Sequence, residues 1–296
     1  ASENNWKVDM KGFSEALETQ KNRSRSATKT SFGDWTVLNE GANSSFLGYD
    51  QLSCTTKIAK YRSATVKGKE VVQIVLVETP FYAESGGQVG DTGKLLVDGQ
   101  EIQVVDTKKE NNEIIHFISE MVKNISADVE ASVNVSRRTD IKKNHSSTHL
   151  LHFALRSILG AHVEQKGSLV SPDKLRFDFS HFERISEDQI KEIETLVRDQ
   201  IESQVELQEW RKMPINEAKE MGAMALFGEK YGNEVRVVKF GDSVELCGGI
   251  HVDSTSEIGG FKIISESSVA SGVRRVEALT GRAYTTYISN SIDLIE

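Results

Sequence analysis

Three histidines lie close together in the segment NHSSTHLLH, at positions 144–152. Apolar residues here and in the following FALRSILG recur at helical spacing, which predicts an amphipathic helix with His145, His149 and His152 along one side. Residues four apart are neighbours on such a face. His145 and His149 could therefore share a metal ion, although a buried histidine bonded to a backbone carbonyl is the simpler alternative for each.

A second pair at the same spacing, Cys247 and His251, lies in CGGIH, where two glycines predict a tight turn. With His145 and His149 this pair gives three imidazoles and one thiol, a ligand set suited to tetrahedral zinc, Zn²⁺. His152 is interpreted as a core or supporting residue, because four protein ligands already complete a tetrahedral site. HSSTH also lacks the glutamate that zinc peptidases carry after the first histidine, which argues against a peptidase.

Composition limits the class of protein. The 296 residues carry a net charge of -8, which argues against a surface coated with basic residues for non-specific binding of nucleic acids such as DNA. Local basic segments occur at 21–29, 136–143 and 271–282. No apolar run approaches the roughly 20 residues of a membrane helix, and the polar start predicts no secretory signal. Two cysteines exclude a disulfide framework, although not a single bridge, and favour a cytoplasmic location.

The secondary-structure pattern predicts an α+β fold. A helical pattern at 8–20 precedes short β-rich runs from about 33 to 135, separated by Gly, Asn and Asp, which predict a small β-barrel. Within them, FYAESGGQVGDTG at 81–93 contains four glycines that allow close backbone approach to a partner, or simply form a bulged turn. Beyond the histidine helix, Ser186 and Gln189 predict a capping box at the start of another helix.

Several motifs together resemble the zinc-dependent editing domain of alanyl-tRNA synthetases. They are NHSSTHLLHFALRSILGAHVEQKGSLVSPDKLRFDF at 144–179, ALFGEKYG at 225–232, VELCGGIHV at 244–252 and SGVRRVEALTG at 271–281. The glycine-rich segment resembles the β-barrel that precedes this domain in the family, and residues 8–27 resemble the helix that closes the tRNA-recognition domain.

The resemblance implies four regions. Residues 1–32 would be the helix that ends the tRNA-recognition domain, and 33–138 the β-barrel with its glycine-rich loop. Residues 139–281 would be the editing domain, an α/β two-layer zinc-binding unit, and 282–296 the start of a C-terminal helix. The ligase domain, which uses ATP and Mg²⁺, and the region that makes the parent enzyme oligomeric would lie outside this sequence.

The implied activity is hydrolysis of tRNA(Ala) that carries serine or glycine in place of alanine, with the acceptor end of tRNA(Ala) as partner. An alanine pocket cannot exclude the smaller glycine, and a mainly apolar site rejects an added hydroxyl by only about a hundredfold. A second, hydrolytic site supplies the remaining accuracy. Zinc there could activate a water molecule or hold the substrate, and four protein ligands leave this choice open.

The implied activity gives roles to several residues whose simpler interpretation is as ordinary polar surface residues or turn residues. Gln165, Ser146 and Thr148 are the candidate catalytic residues, and the candidate tRNA contacts are Arg274, Arg275, Gly86, Gly87 and Gln88. Ser146 and Ile250 depart from the family patterns HTATH and CGGTH, which have threonine at both positions. Ser146 keeps a hydroxyl for a polar contact, whereas any role of the threonine hydroxyl is lost at Ile250.

Three alternatives stay open at this point. A free-standing editing protein would share the metal motif but would not need the helical pattern at 8–20. The editing domain of threonyl-tRNA synthetase shares the histidine and cysteine spacing, although CGGIH and ALFGEKYG favour the alanyl family. Finally, the zinc could be purely structural in a tRNA-binding module without catalysis.

Overall fold

The structure of the chain is a computed structural model, and it describes residues 9, 12, 31–39, 44–66, 68–225 and 231–293. Apart from residues 9 and 12, the helix predicted over 8–20 lies outside the described residues, as does most of ALFGEKYG. Among the helices of the described residues, none combines the length and the apolarity needed to cross a lipid bilayer.

The first part of the described chain is made of strands. They are β1 (Ser31–Phe32), β2 (Thr36–Val37), β3 (Ser45–Phe46), β4 (Ser53–Thr56), β5 (Ile58–Val66), β6 (Lys69–Leu76), β7 (Glu78–Thr79), β8 (Gly93–Val97), β9 (Gln100–Glu110), β10 (Glu113–Ile118) and β11 (Val129–Val133).

The second part mixes helices and strands. They are α1 (Val135–Leu159), β12 (Gln165–Val170), β13 (Leu175–Ser180), α2 (Glu187–Glu202), β14 (Gln208–Pro214), α3 (Ile215–Glu220), β15 (Glu234–Phe240), β16 (Ser243–Leu246), a 3₁₀ helix (Thr255–Ile258), β17 (Phe261–Ala270), β18 (Val273–Thr280) and α4 (Gly281–Asp293). The chain is therefore α+β, as predicted.

Nine strands form the first sheet, in the order β1-β5-β6-β10-β9-β8-β11-β4, with β2 beside β5. Its apolar face buries Ile74, Leu76, Phe81 and Leu95 in one core. Among the described strands the two ends of this path do not pair, so the sheet is not closed and the prediction of a small β-barrel was wrong in this respect. Regular spacing of strand-like runs predicts an antiparallel sheet, but closure also requires a matching stagger between the first and last strands, which composition does not reveal.

Helices α1 and α2 pack on a four-stranded antiparallel sheet with the order β12-β13-β18-β17. Their shared core includes Leu151 and Leu155 from α1, Ile193 from α2, and Phe177 and Val276 from the sheet. A third sheet, β14-β15-β16, has its own small core and leads directly into the CGGIH turn. The site motifs therefore lie on a helix, and on a turn held by a separate sheet.

Two N-terminal caps fix the starts of the long helices. The Asn134 side chain accepts a hydrogen bond from the backbone N–H of Arg137 at the start of α1. Ser186 and Gln189 form the predicted capping box at the start of α2, so that prediction is confirmed. The helix α1 then runs without interruption through all three histidines of the NHSSTHLLH segment.

Candidate metal centre

The structure brings His145, His149, Cys247 and His251 together. Helix α1 supplies the first two, and the turn after β16 supplies the others. One ligating atom from each of the four residues lies within 4.8 Å of the other three. The three imidazoles are buried and the thiol is half-buried. Two segments separated by about a hundred residues therefore converge on one cluster of metal-binding atoms.

Distances in the cluster fit a tetrahedral ion. The Cys247 sulfur lies 3.4 Å from His145 Nε2 and 3.3 Å from His251 Nε2. Zn–S and Zn–N bonds of about 2.3 and 2.0 Å at tetrahedral angles place sulfur and nitrogen about 3.5 Å apart. His149 completes the group, since its ring centroid is 4.5 Å from that of His251. Among the described residues its buried Nδ1 has no hydrogen-bond partner, as expected of an atom that a metal would bind.

The ring nitrogens that face away from the cluster are held by other side chains. His145 Nδ1 lies 2.7 Å from Gln88 Oε1, and His251 Nδ1 lies 3.1 Å from Ser146 Oγ. Such contacts orient the imidazoles of metal sites and leave the opposite nitrogen free to bind the ion. The arrangement therefore fits a metal centre better than three independent core histidines.

Glu245 holds the ring nitrogen of His149 that faces away from the cluster. Its carboxylate lies 3.5 Å from His149 Nε2 and 2.9 Å from His152 Nδ1, and all three side chains are buried. His152 lies outside the group of four and contacts this carboxylate.

Burial sets the protonation state of the cluster. Desolvation is the main cause that lowers the pKa of His145, His149 and His251 below the usual value of 6.5, and the Arg236 guanidinium adds to the effect. The imidazoles are therefore neutral at pH 7, which is the form that binds metal ions.

Arg236 and Tyr49 hold the turn that carries the thiol. Arg236 Nη1 donates to the carbonyl oxygens of Cys247 and Gly249 at 2.9 and 2.8 Å. The Tyr49 hydroxyl donates to the carbonyl oxygen of Gly248 at 2.7 Å, and its ring lies 4.3 Å from the guanidinium carbon of Arg236. Three successive carbonyls are thus fixed by side chains from outside the turn.

A cavity of about 430 Å³ opens beside the cluster, and its size is within the usual range for ligand pockets. Its lining includes His149, Cys247, Thr148, Gln165 and Lys109. Thr148 Oγ1 donates to the carbonyl oxygen of Asn144 at 2.8 Å, which leaves its lone pairs available.

Ser146 lies elsewhere. It is fully buried, contacts His251 and accepts a hydrogen bond from the backbone N–H of Val252 at 3.1 Å. Its hydroxyl is absent from the lining of the cavity, so the structure groups Thr148 and Gln165 there without Ser146.

The glycine-rich loop approaches another part of the same chain. The carbonyl oxygen of Gly87 accepts a hydrogen bond from the N–H of Val170 on β12 at 2.7 Å, and a Cβ atom on Gly87 would lie 2.8 Å from the Ser168 oxygen. Gly87 also has a positive φ of 82°. Gly86 lines the cavity, whereas Gln88 is fully buried against the cluster and presents no surface to RNA.

Arg274 and Arg275 are both engaged in ion pairs. Arg274 bonds Glu266 on the neighbouring strand β17. Arg275 donates from Nε and Nη2 to the two carboxylate oxygens of Asp178 on β13, at 2.7 and 2.8 Å. Neither arginine lines the cavity.

Sequence reasoning missed several supporting residues. Glu245 could have been found, because it lies on β16 two residues before Cys247, and residues two apart in an extended chain share a side of the backbone. Tyr49 and Gln88 could not, since Gln88 lies 57 residues from His145 and Tyr49 lies 199 residues from Gly248, and only folding brings them together.

Comparisons with known proteins agree on one family. Residues 1–140 match tRNA synthetases class II (A), and residues 235–277 match the threonyl and alanyl tRNA synthetase second additional domain. The chain is 51% identical over 293 residues to alanine-tRNA ligase of Parabacteroides distasonis. It is 53% identical over 296 residues to alanine-tRNA ligase of Christiangramia forsetii, and 50% identical over 295 residues to that of Porphyromonas gingivalis.

These alignments cover 99% of the chain in each case, and 33%, 34% and 34% of the three relatives. The chain spans about a third of the length of the curated relatives that it matches. With this identity over nearly all of its residues, the chain belongs to the alanine-tRNA ligase family.

Proposed function

We propose that this chain hydrolyses the ester bond of tRNA(Ala) that carries serine or glycine. The observation that supports the proposal is the cavity in which Thr148 and Gln165 lie beside His149 and Cys247. A polar cavity next to a metal-binding cluster suits a small amino acid ester. The family match to the second additional domain of threonyl and alanyl tRNA synthetases supports the same activity.

His145, His149, Cys247 and His251 would hold the metal, which we propose is zinc. When bound, zinc would supply positive charge that polarises a bound water or a substrate oxygen. The other steps belong to the chain itself. The Gln165 amide can both donate and accept, so it orients the attacking water or the ester carbonyl in the cavity.

Thr148 is the residue that we assign to recognition of serine. Its hydroxyl hydrogen is donated to Asn144, so its oxygen is left to accept a hydrogen bond from the serine hydroxyl. Alanine offers no such donor. With alanine bound, the acceptor would stay unpaired, so the site binds alanine less well than serine. Ser146 acts differently, because it holds the His251 ring from behind.

Further proposals concern the whole protein. The acceptor end of tRNA(Ala) is the partner, and Gly86 is the predicted RNA contact that lies at the cavity. Arg274 and Arg275 would reach RNA only if their ion pairs rearranged. The bounds of the four regions predicted from sequence, the cytoplasmic location, the ATP- and Mg²⁺-dependent ligase reaction and oligomer formation stay predictions.

One observation favours a second candidate function. Four protein ligands complete a tetrahedral shell, which is typical of structural zinc sites, whereas catalytic sites keep a position open. The chain could then be a tRNA-binding module that needs zinc only for folding.

The deciding experiment compares hydrolysis of seryl-tRNA(Ala) and alanyl-tRNA(Ala) by the zinc-loaded chain, the metal-stripped chain and the Gln165→Ala variant. We expect rapid loss of serine alone, abolished by stripping, and a reduction of at least about 100-fold in Gln165→Ala with zinc content unchanged. Gln103→Ala, on the exposed part of β9 outside the cavity lining, is the matched control. No hydrolysis by a zinc-loaded chain that binds tRNA(Ala) would favour the structural zinc.

A further inference from the structure

A single oxygen of the glycine-rich loop contacts both halves of the metal-binding cluster. Gln88 Oε1 lies 2.7 Å from His145 Nδ1 on helix α1 and 2.9 Å from the backbone nitrogen of Ile250 in the CGGIH turn. The Gln88 side chain is fully buried. It therefore joins a ligand of the helix to the turn that carries the other two ligands.

The direction of these hydrogen bonds is fixed by chemistry. The backbone N–H of Ile250 can only donate, so the Gln88 atom that faces it must be the carbonyl oxygen. His145 Nδ1 faces the same oxygen and must therefore carry the proton. The remaining ring nitrogen, His145 Nε2, then keeps its lone pair, and it is the atom that lies 3.4 Å from the Cys247 sulfur.

Two sheets hold the backbone around Gln88. Val89 donates its N–H to the carbonyl oxygen of Val170 on β12, and Gly87 accepts from the N–H of the same residue. On the other side, the N–H of Glu84 donates to the carbonyl oxygen of Thr107 on β9. The oxygen of Gln88 is thus held in place by the sheets on both sides.

The amide nitrogen of Gln88 indicates that the carbonyl oxygen is the part of this side chain that the site requires. Among the described residues this buried Nε2 has no hydrogen-bond partner. Burying an unpaired donor is unfavourable, and an apolar side chain of similar shape would avoid it. A glutamine is therefore unfavourable at this position as a core residue. What it contributes there must come from its carbonyl oxygen.

We propose that Gln88 is a positioning residue of the metal centre. It selects the tautomer of His145 that binds metal and fixes the Cys247–His251 turn against helix α1. The glycine-rich loop of the first sheet thereby completes the outer layer of contacts around the ion. The proposal rests on the metal site of the proposed function, and it does not depend on which aminoacyl ester is hydrolysed.

The test measures the zinc dissociation constant by competition with a chromophoric chelator. Gln88→Met keeps the size of the side chain and removes the acceptor, so we expect zinc binding about 10- to 100-fold weaker. Gln88→Glu keeps an acceptor for both N–H groups, and we expect its affinity within about threefold of the original, on the same grounds. The matched control is Gln73→Met, because Gln73 is also a buried glutamine of the first sheet but bonds Arg62.

A second measurement needs no variant. The ¹⁵N shifts of the His145 ring in the metal-free protein report its tautomer, and we expect the proton on Nδ1. Unweakened zinc binding in Gln88→Met, or a proton on Nε2 of the original chain, would overturn the proposal. Absence of zinc binding in the original chain would remove both this proposal and the metal site. Zinc binding with the expected variant pattern but no hydrolysis would reject only the proposed activity.

Discussion

Arg138 and Asp91 form a buried ion pair between helix α1 and the end of the glycine-rich segment. Arg138 Nε lies 3.0 and 2.9 Å from the two carboxylate oxygens, and the guanidinium also donates to the carbonyl oxygens of Gly48 and Pro80. The carboxylate accepts a further hydrogen bond from the N–H of Tyr82 at 2.7 Å. The pair therefore fixes the helix that carries the histidines to three separate segments of the first sheet region.

Replacing Arg138 by methionine should strongly destabilise the chain. The variant leaves the Asp91 carboxylate buried without its cation, and removal of one partner of a buried pair costs about 3–5 kcal/mol. Denaturant unfolding measures the change. Lys94→Met breaks a pair with Glu101 in which both side chains are about half exposed, and should cost less than about 1 kcal/mol. Similar losses in the two variants would contradict the role of burial.

His116 should make the stability of the first sheet depend on pH. Its Nε2 lies 2.7 Å from Thr79 Oγ1, and burial lowers its pKa from 6.5 to about 4. Between these values the unfolded chain binds more protons than the folded one, so the free energy of unfolding falls as the pH falls below 6.5. From pH 7 to pH 5 this residue should contribute a loss of about 2 kcal/mol.

His116→Gln tests that pH dependence. Glutamine can still bond Thr79 but does not titrate, so the variant should lose about 2 kcal/mol less stability than the original chain between pH 7 and pH 5. Other buried histidines contribute equally to both proteins and cancel in the comparison. Equal losses in the two proteins would show that His116 is not protonated on unfolding in this range.

The sequence pattern predicted the parts of the site that depend on local spacing. Helical periodicity placed His145 and His149 on one face, and two glycines indicated the turn between Cys247 and His251. The pattern did not predict the partner of the glycine-rich loop. Glycines indicate that the backbone can be approached closely, but they do not identify the segment or molecule that approaches it. The partner is β12 of the same chain, which joins the loop through Val170.

The basic segment around Arg274 and Arg275 shows a similar limit. Two adjacent arginines indicate a positive patch when only the sequence is known. In the fold their charges are compensated by Glu266 and Asp178, which face them from neighbouring strands. Cross-strand pairing of this kind depends on the register of β13, β17 and β18, and that register cannot be read from composition.

Glu245→Ala should weaken metal binding without opening the fold. The variant removes the carboxylate that lies between His149 and His152, so the His149 ring loses the contact that orients it. Loss of such a partner typically lowers zinc affinity about 10- to 100-fold. Glu234→Ala is the control, since it removes the same charge from the lining of the same cavity. Chelator competition should separate the two variants, and equal losses would point to long-range charge instead of contact.

The two glycines of the CGGIH turn should differ sharply in their tolerance of alanine. Neither has a positive φ, so backbone strain does not distinguish them. A Cβ atom on Gly249 would lie 2.0 Å from His145 Cε1 and 3.0 Å from Gln88 Oε1, whereas one on Gly248 meets nothing within 4 Å. Gly249→Ala must therefore displace the His145 ring.

We expect Gly249→Ala to lose more than about tenfold in zinc affinity, with a loss of about 1–3 kcal/mol in stability from overpacking. Gly248→Ala should retain zinc and unfold at nearly the original temperature. Zinc content after dialysis and thermal unfolding measure both effects. If both variants kept their zinc, the close packing of Gly249 on His145 would not be required for the centre, because the ring could move without loss of the ligand geometry.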